Sequence, residues 1–449
     1  MWGVCVRDRG RIIVAVVGAL VGLHASVARA EPPQPAQAAD ARPPGQIDAL
    51  RAAAKASPGD AAASLSLGRA LRRAGYATEA LDELRRGSLL PAGRAGETGI
   101  ALRWEAARAF LQRREFEPAM ASCRSAGKIT GGEQAGHACA AEAHLLLKRA
   151  TDALTETSQA LAGGARVYEA KVAEGLAHEL EVKDADAEAS FRTAIGWRPD
   201  APLAHAWLGR LLVRDLKHDD GVAELRRAVQ LDPSDPEANF ELSQTLPAGP
   251  EAEGLLQRAV QERPSYVLAL LRLANVELEL GKLPLARAAA ASVIRYDPRE
   301  PAADIVAGRI ALAEGHPDDA IRSGQAALAL LANSARARLL IADAYAKKGE
   351  VDLAVESYEA AYGLDHADPT PLVRASEACH REGRETSARA FGDKATKEFP
   401  RWGPAWVAYG DALAGDREPA LARAAYQSAL KATGPVDAAA VEKKLAALK

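Results

Sequence analysis

Residues 191–212, "FRTAIGWRPDAPLAHAWLGRLL", and residues 225–246, "LRRAVQLDPSDPEANFELSQTL", repeat one pattern. Slid by 34 places, they pair Phe191 with Leu225, Ala194 with Ala228, Pro199 with Pro233, Leu208 with Leu242 and Gly209 with Ser243. Units of this kind start at Ala61, Ile100, Gln134, Tyr168, Pro202, Pro236, Val267, Pro301, Ala335, Pro369 and Gly403. Eight of the ten intervals between these starts are 34 residues, one is 39 and one is 31. A phase held over eleven units restricts the fold to one that grows along a line, each unit packed on its neighbours. A chain of 449 residues needs such a plan, because a single core stops growing at roughly 250–300 residues.

Composition sets the thickness of that core. Hydrophobic residues make up 48% of the chain, yet it holds only six Phe and two Met, and alanine supplies the largest share. Such a set fills a thin seam between two layers of helices and cannot fill a deep interior. From Gln46 onward apolar residues recur at spacings of three and four between regular Gly and Pro breaks, so the body is predicted to be all-α. A formal net charge of −3 carries no electrostatic footprint for nucleic acid, and no nucleic-acid partner is expected.

The first thirty residues read as targeting. "MWGVCVRDRGR" is basic, "IIVAVVGALVGL" is an apolar run of twelve, and "ASVARA" supplies small residues at Ala28 and Ala30. The run is shorter than the roughly 20 residues of a spanning helix, so residues 1–30 are expected to be a signal peptide cleaved after Ala30. An uncleaved anchor is the competing reading. Cleavage removes four Arg and one Asp, a net +3, leaving −3 − 3 = −6 on an exported chain, periplasmic or secreted, with no direct membrane insertion. Residues 31–45, "EPPQPAQAADARPPG", are expected to form an extended Pro/Ala-rich spacer.

The 34-residue units resemble the tetratricopeptide repeat, a helix-turn-helix, over about residues 46–448. At positions 7 and 8 stand Leu67-Gly68, Leu208-Gly209, Leu273-Ala274, Ala307-Gly308, Ile341-Ala342 and Tyr409-Gly410. Position 20 is alanine in every unit but the fifth, which has Gly221. Position 32 is proline at Pro199, Pro233, Pro264, Pro298 and Pro400, where a fixed φ and a missing N–H stop helix B. The resemblance implies a right-handed superhelical solenoid of about eleven repeats over residues 46–435, with a capping helix at 436–449. The sixth unit departs from the pattern, since "LPAGPEAEG" shortens its turn by three residues, and five added residues after the first unit predict a surface loop.

The resemblance also implies a concave groove that binds a segment of another protein. Positions 2, 5, 6, 9, 12 and 13 of each helix A are expected to line it, because positions 4, 7, 8 and 11 turn into the core. The candidate lining is Arg69, Arg72, Arg73, Trp104, Arg108, Trp207, Arg210, Arg214, Arg272, Asn275, Arg309, Arg336, Arg374, His380 and Arg381, with Asp343 and Glu377 among them. Arg and Asn there resemble the clamps with which some family members hold a peptide's terminal carboxylate. The alternative reading of these arginines is solvated helix-face charge, and of the two tryptophans, core filler.

Cys123, in helix B of the second repeat, and Cys139, in helix A of the third, are candidates for a disulfide in an oxidising compartment. Cys379 falls at a core position and reads as an inert buried thiol. His137 and His144 flank Cys139, but the spacings of common zinc sites are absent, and no metal or cofactor is expected. No H-E-x-x-H, G-x-S-x-G or phosphate-binding glycine loop occurs. The reading is therefore a non-catalytic exported scaffold for protein partners in an envelope or secretion-related assembly. The alternative is an accessory subunit of an envelope enzyme or carbohydrate-processing complex, with catalysis supplied in trans.

Overall fold

A computed structural model describes residues 45–448. The segments assigned to a signal peptide (1–30) and spacer (31–45) lie outside the described residues, apart from Gly45, which opens the first helix. Among the described residues there are twenty-four α-helices and no strand, and the fold is an all-α solenoid of helix pairs.

The chain divides into two units, Met1–Val276 and Glu277–Lys449. In the first, a lone helix α1 (Gly45–Ala56) precedes α2/α3 (Ala61–Arg73, Ala77–Leu89), α4/α5 (Gly96–Gln112, Phe116–Gly127) and α6/α7 (Glu133–Leu146, Ala150–Ala160). It continues through α8/α9 (Tyr168–Leu180, Asp184–Trp197), α10/α11 (Pro202–Arg214, His218–Leu231) and α12/α13 (Pro236–Gln244, Pro250–Glu262). The boundary falls inside α14 (Val267–Glu279). The second unit holds α15 (Leu283–Tyr296), α16/α17 (Pro301–Ala313, Pro317–Leu330), α18/α19 (Ala335–Lys348, Val351–Leu364) and α20/α21 (Thr370–Arg381, Glu385–Glu398). It ends with α22/α23 (Gly403–Gly415, Pro419–Lys431) and a final helix α24 (Ala438–Ala447). The five residues added after the first repeat form a 3-10 turn at Pro91–Gly93 and start α4 four residues ahead of Ile100.

Small side chains set the distance between helices. Ala80, Ala119, Ala153, Ala187, Ala252, Ala286, Ala320, Ala354, Ala388 and Ala422, all at position 20, are each 0% exposed. Seven residues further along helix B a second line of alanines, including Ala126, Ala160, Ala194, Ala228, Ala327, Ala361 and Ala395, is equally closed to solvent. In the fifth pair the approach is closer still: a Cβ on Gly209 would stand 2.7 Å from the Gly221 carbonyl oxygen. Larger groups fill what these seams leave, as where Phe191, Trp207, Leu208, Leu211 and Leu212 share one cluster. Only small residues, with Val293 the largest on the second line, fit seams this close.

The same logic joins α5 to α6. They cross at Gly127 and Gly136, where a Cβ on Gly136 would lie 2.7 Å from the Gly127 Cα. That contact holds Cys123 and Cys139 with Cα atoms 5.4 Å apart, joined as a disulfide 16 residues apart in sequence. Closing a loop of that length is worth about 3 kcal/mol in the chain-entropy account. Cys379 is buried and free, and burial pushes its thiol pKa up.

Position 15, in the turn from helix A to helix B, takes a positive φ wherever the turn has full length. Glycine occupies it at Gly75, Gly281, Gly315, Gly349 and Gly383, but Arg114, Lys148, Val182, Leu216 and Arg417 adopt it too, with φ between 58° and 63°. The left-handed region costs a non-glycine residue about 1–2 kcal/mol, and a β-branched one is the least suited to it. Val182→Gly is therefore expected to raise the unfolding free energy by about 1 kcal/mol, part of the relief being offset by the entropy of an unfolded glycine. Urea titration followed by circular dichroism measures this, and an unchanged or lowered midpoint would count against strain at this turn.

Candidate partner-binding surface

The inward positions of successive A helices meet one another through charge. In the first unit, Arg69 and Arg72 of α2 reach Glu105 of α4, with Nε atoms 3.0 and 2.7 Å from its two oxygens. Arg108, one turn beyond Glu105, donates to it at 3.2 Å and to Glu142 of α6 at 2.8 and 2.5 Å. The Trp104 indole N–H also donates to Glu142, at 3.0 Å, and the Arg108 guanidinium lies 5.4 Å from the Trp104 ring centroid. Glu105 is only 3% exposed. Burial opposes its ionisation, but Arg72, Arg108 and Arg69 outweigh that and hold its carboxyl well below the usual carboxylate range.

A second rung lies between α8 and α10. Glu179, 2% exposed, accepts from Arg210 at 3.0 and 2.8 Å and from Arg214 at 2.5 Å. Arg214 also reaches Asp184 at 2.6 Å, and Arg210 lies 4.1 Å from the Trp207 ring centroid. Trp207 itself is 4% exposed and belongs to the core.

The first unit also carries a contact that no periodicity announces. Arg73, at the end of α2, lies 3.4 Å from Asp232, and its carbonyl oxygen accepts from Arg263 at 3.0 Å. Gly75, in the next turn, has room for no Cβ, which would lie 2.4 Å from the Ser265 hydroxyl. Repeat one thus touches the turns that end repeats five and six. A cavity of about 300 Å³ sits beside this contact, lined by Ile47, Leu50, Arg69, Arg73, Pro236 and Glu262 among others.

In the second unit Arg374 of α20 reaches Asp343 of α18 at 3.0 Å, and the Tyr358 hydroxyl donates to the same carboxylate at 2.8 Å. Burial raises the Asp343 pKa against the opposing pull of Arg374, and Arg309 also acts on it. Asp343, Tyr358 and Arg374 border a cavity of about 280 Å³ together with Leu312, Lys347, Glu377 and Arg381. The last helix repeats the arrangement: Lys444 of α24 donates to both oxygens of Asp411 at 2.6 Å, and Tyr426 donates at 2.7 Å. The α24 helix thus presents to repeat eleven the cation that α20 presents to repeat nine.

Of the residues expected to line a groove, Arg69, Arg72, Trp104 and Arg108 are brought together, as are Trp207, Arg210 and Arg214, and as are Arg374 and Arg381 with Arg309 beside them. The others are dispersed. Arg73 is drawn to Asp232, Arg272 donates to the Leu246 carbonyl at 3.0 Å, and Asn275 donates to Leu271 in its own helix. His380 pairs with Glu385 across its own turn, and Arg336 is exposed. Sequence reasoning passed over Glu105, Glu142 and Glu179. Their signal was the spacing, because Arg–Glu and Arg–Asp pairs between neighbouring A helices are separated by 31 to 36 residues, close to one repeat.

The sequence signature of the tetratricopeptide repeat matches residues 47–91, 183–236, 249–301 and 305–370. With helix pairs in phase across the described residues, the chain belongs to the tetratricopeptide repeat family, and it is a protein–protein interaction scaffold. A comparison with curated protein sequences returns no relative. Among solved structures, the chain is similar to yeast Tom70, at 13% identity and a TM-score of 0.48, over 90% of this chain and 91% of that one. It is also similar to a tetratricopeptide repeat protein from Parabacteroides merdae, at 16% identity and a TM-score of 0.41, over 62% and 97%. The type IV pilus biogenesis factor PilW aligns at 18% identity and a TM-score of 0.41, over 45% and 96%.

The Glu179 rung is the stringent test of the charge pairing. Neutralising it leaves Arg210 and Arg214 without their shared counter-charge, so Glu179→Gln is expected to cost about 3 kcal/mol of unfolding free energy. Removing the exposed partner of Glu79 by Arg51→Gln is expected to cost at most about 0.5 kcal/mol. Equal effects in urea titration would mean that the buried rung contributes no more than surface charge.

Proposed function

We propose that the protein is an exported, non-catalytic scaffold that holds an extended segment of a partner protein along the inward face of its A helices, within an envelope or secretion-related assembly. One observation carries the binding part of this reading. Around the cavity of about 280 Å³ in the second unit, Lys347, Glu377 and Arg381 have no hydrogen bond or ion pair among the described residues, whereas Asp343 and Arg374 are already joined. Burial raises the Glu377 pKa, with Arg374 and Arg381 pulling the other way. Two cations and one half-desolvated carboxylate thus stand open beside the apolar edge of Leu312, a setting suited to a segment carrying charges of both signs.

Export is supported by the basic-then-apolar start with Ala28 and Ala30 and by the Cys123–Cys139 bridge, a chemistry of oxidising compartments. Protein recovered from its native host is expected to begin at Glu31 on N-terminal sequencing. A start at Met1 would return the first segment to the anchor reading.

The binding reading is tested by co-purification from the native host, comparing the tagged chain with Lys347→Glu combined with Arg381→Glu, helical content matched by circular dichroism. A partner lost with the double change, and rebinding the parent once purified, is the expected result. A partner retained in full by the double change would remove this cavity from the interface.

A further inference from the structure

In the first unit, the inward carboxylates of the A helices are matched with cations, with one exception. Glu105 has three arginines, Glu142 has Arg108, and Glu179 has Arg210 and Arg214. Glu237 has Arg263, and Glu169 has Arg198. Glu241, at position 6 of α12, makes no hydrogen bond or ion pair among the described residues, although it is only partly exposed. Arg210 exerts the largest charge effect on it, and the next two, Glu179 and Glu237, are negative. Arg210 already donates from Nη2 to both oxygens of Glu179, at 3.0 and 2.8 Å.

The neighbouring repeats show unfilled hydrogen-bonding capacity at the same position. Position 6 is Trp207 in α10 and Arg272 in α14, and the Trp207 indole nitrogen and the Arg272 Nε are both buried without a partner. The Tyr266 hydroxyl, just ahead of α14, is likewise buried and unpartnered, 2% of the residue being exposed, and the charge of Glu241 acts on it. Three consecutive repeats therefore carry an unsatisfied polar group at one register. A buried polar atom left without a bond costs about 1–3 kcal/mol, and an uncompensated buried charge costs more. The Trp207 and Arg272 N–H groups are donors and call for acceptors; the cost of the unpaired Glu241 carboxylate is the one that a cation removes.

We propose that Glu241 is a receptor for a lysine or arginine side chain of the bound partner segment. This rests on the reading of the inward face as the binding surface and names the chemistry of one of its positions. Adjacent A helices are spaced at roughly 10 Å, so an extended segment at roughly 3.3 Å per residue crosses from Trp207 to Arg272 in about six residues, with the cation near their middle. The charge selects for a cation, because a neutral or acidic side chain at that point would leave the carboxylate uncompensated or repel it.

The probe is a displayed library of random eight-residue peptides, selected on the full chain and, in parallel, on Glu241→Gln. Selected sequences are expected to carry Lys or Arg at one shared position when chosen on the parent, and to lose that preference on the variant. A synthetic peptide from the parent pool is expected to bind Glu241→Gln about tenfold more weakly or worse, to weaken similarly when its cation is replaced by norleucine, and to show no further loss when both changes are combined. Because glutamine removes an unpaired charge and keeps the shape, Glu241→Gln is expected to unfold at the same temperature as the parent or a higher one, which separates lost binding from lost structure. Peptides without a shared cation, or affinity unchanged by Glu241→Gln, overturn the proposal while the groove reading stands. Selection of no peptide at all overturns both.

Discussion

Everything in this molecule depends on how closely two helices can approach. The alanines at position 20 and the second line seven residues on are sealed from solvent in repeat after repeat, and where even alanine is too large the chain uses Gly209 against Gly221 or Gly127 against Gly136. A methyl-sized seam contributes little apolar area per contact, since burial is worth roughly 25 cal/mol per Å². Stability must then accumulate over many similar interfaces, and each repeat depends on its neighbours. The disulfide between α5 and α6 reinforces one such interface, placed where two glycines and no large side chain meet.

Thin apolar seams leave the inward faces of the A helices to polar groups, and those faces are organised as charge pairs between repeats. Arg69, Arg72 and Arg108 around Glu105, and Arg210 with Arg214 on Glu179, are intramolecular counterparts of what a carboxylate-bearing ligand would otherwise meet. Such pairing neutralises a face rich in arginine and sets the register of one repeat on the next, because each pair spans close to one repeat of sequence. Groups left out of the pairing then stand out against a nearly complete pattern. Lys347, Glu377 and Arg381 in the second unit and Glu241 in the first are of that kind, and they carry the functional conclusions.

Several features of the fold were readable from residues alone. The helix starts at Ala61, Tyr168, Pro202, Pro236, Val267, Pro301, Ala335 and Gly403 coincide with the unit starts counted along the sequence, five of them marked by proline at N1 or a capping side chain, with proline closing helix B in five repeats. The arginines of the candidate surface were readable as inward-facing by periodicity. Their partners were not, since an Arg at position 9 or 12 looks the same whether it waits for a ligand or already holds Glu105. Trp104 and Trp207 show the same limit: they differ by one position in the repeat, and one hydrogen-bonds to Glu142 at the surface strip while the other is sealed in the core.

The sequence by itself determined what is local and periodic: the helices, their turns, the phase of 34 residues, the alanine seams and the family. These follow from residue-by-residue sterics and from hydrophobic spacing, which act over one or two turns of chain. Tertiary structure decided what depends on convergence across repeats. It joined Cys123 to Cys139, set Arg73 against Asp232 at a separation of 159 residues, paired Glu105 with three guanidinium groups and left Glu241 without a hydrogen bond or ion pair among the described residues. Spacing along a chain orders neighbours, but charge pairing depends on distance in space, and the small rotation from one helix pair to the next fixes that distance only when the pairs are stacked.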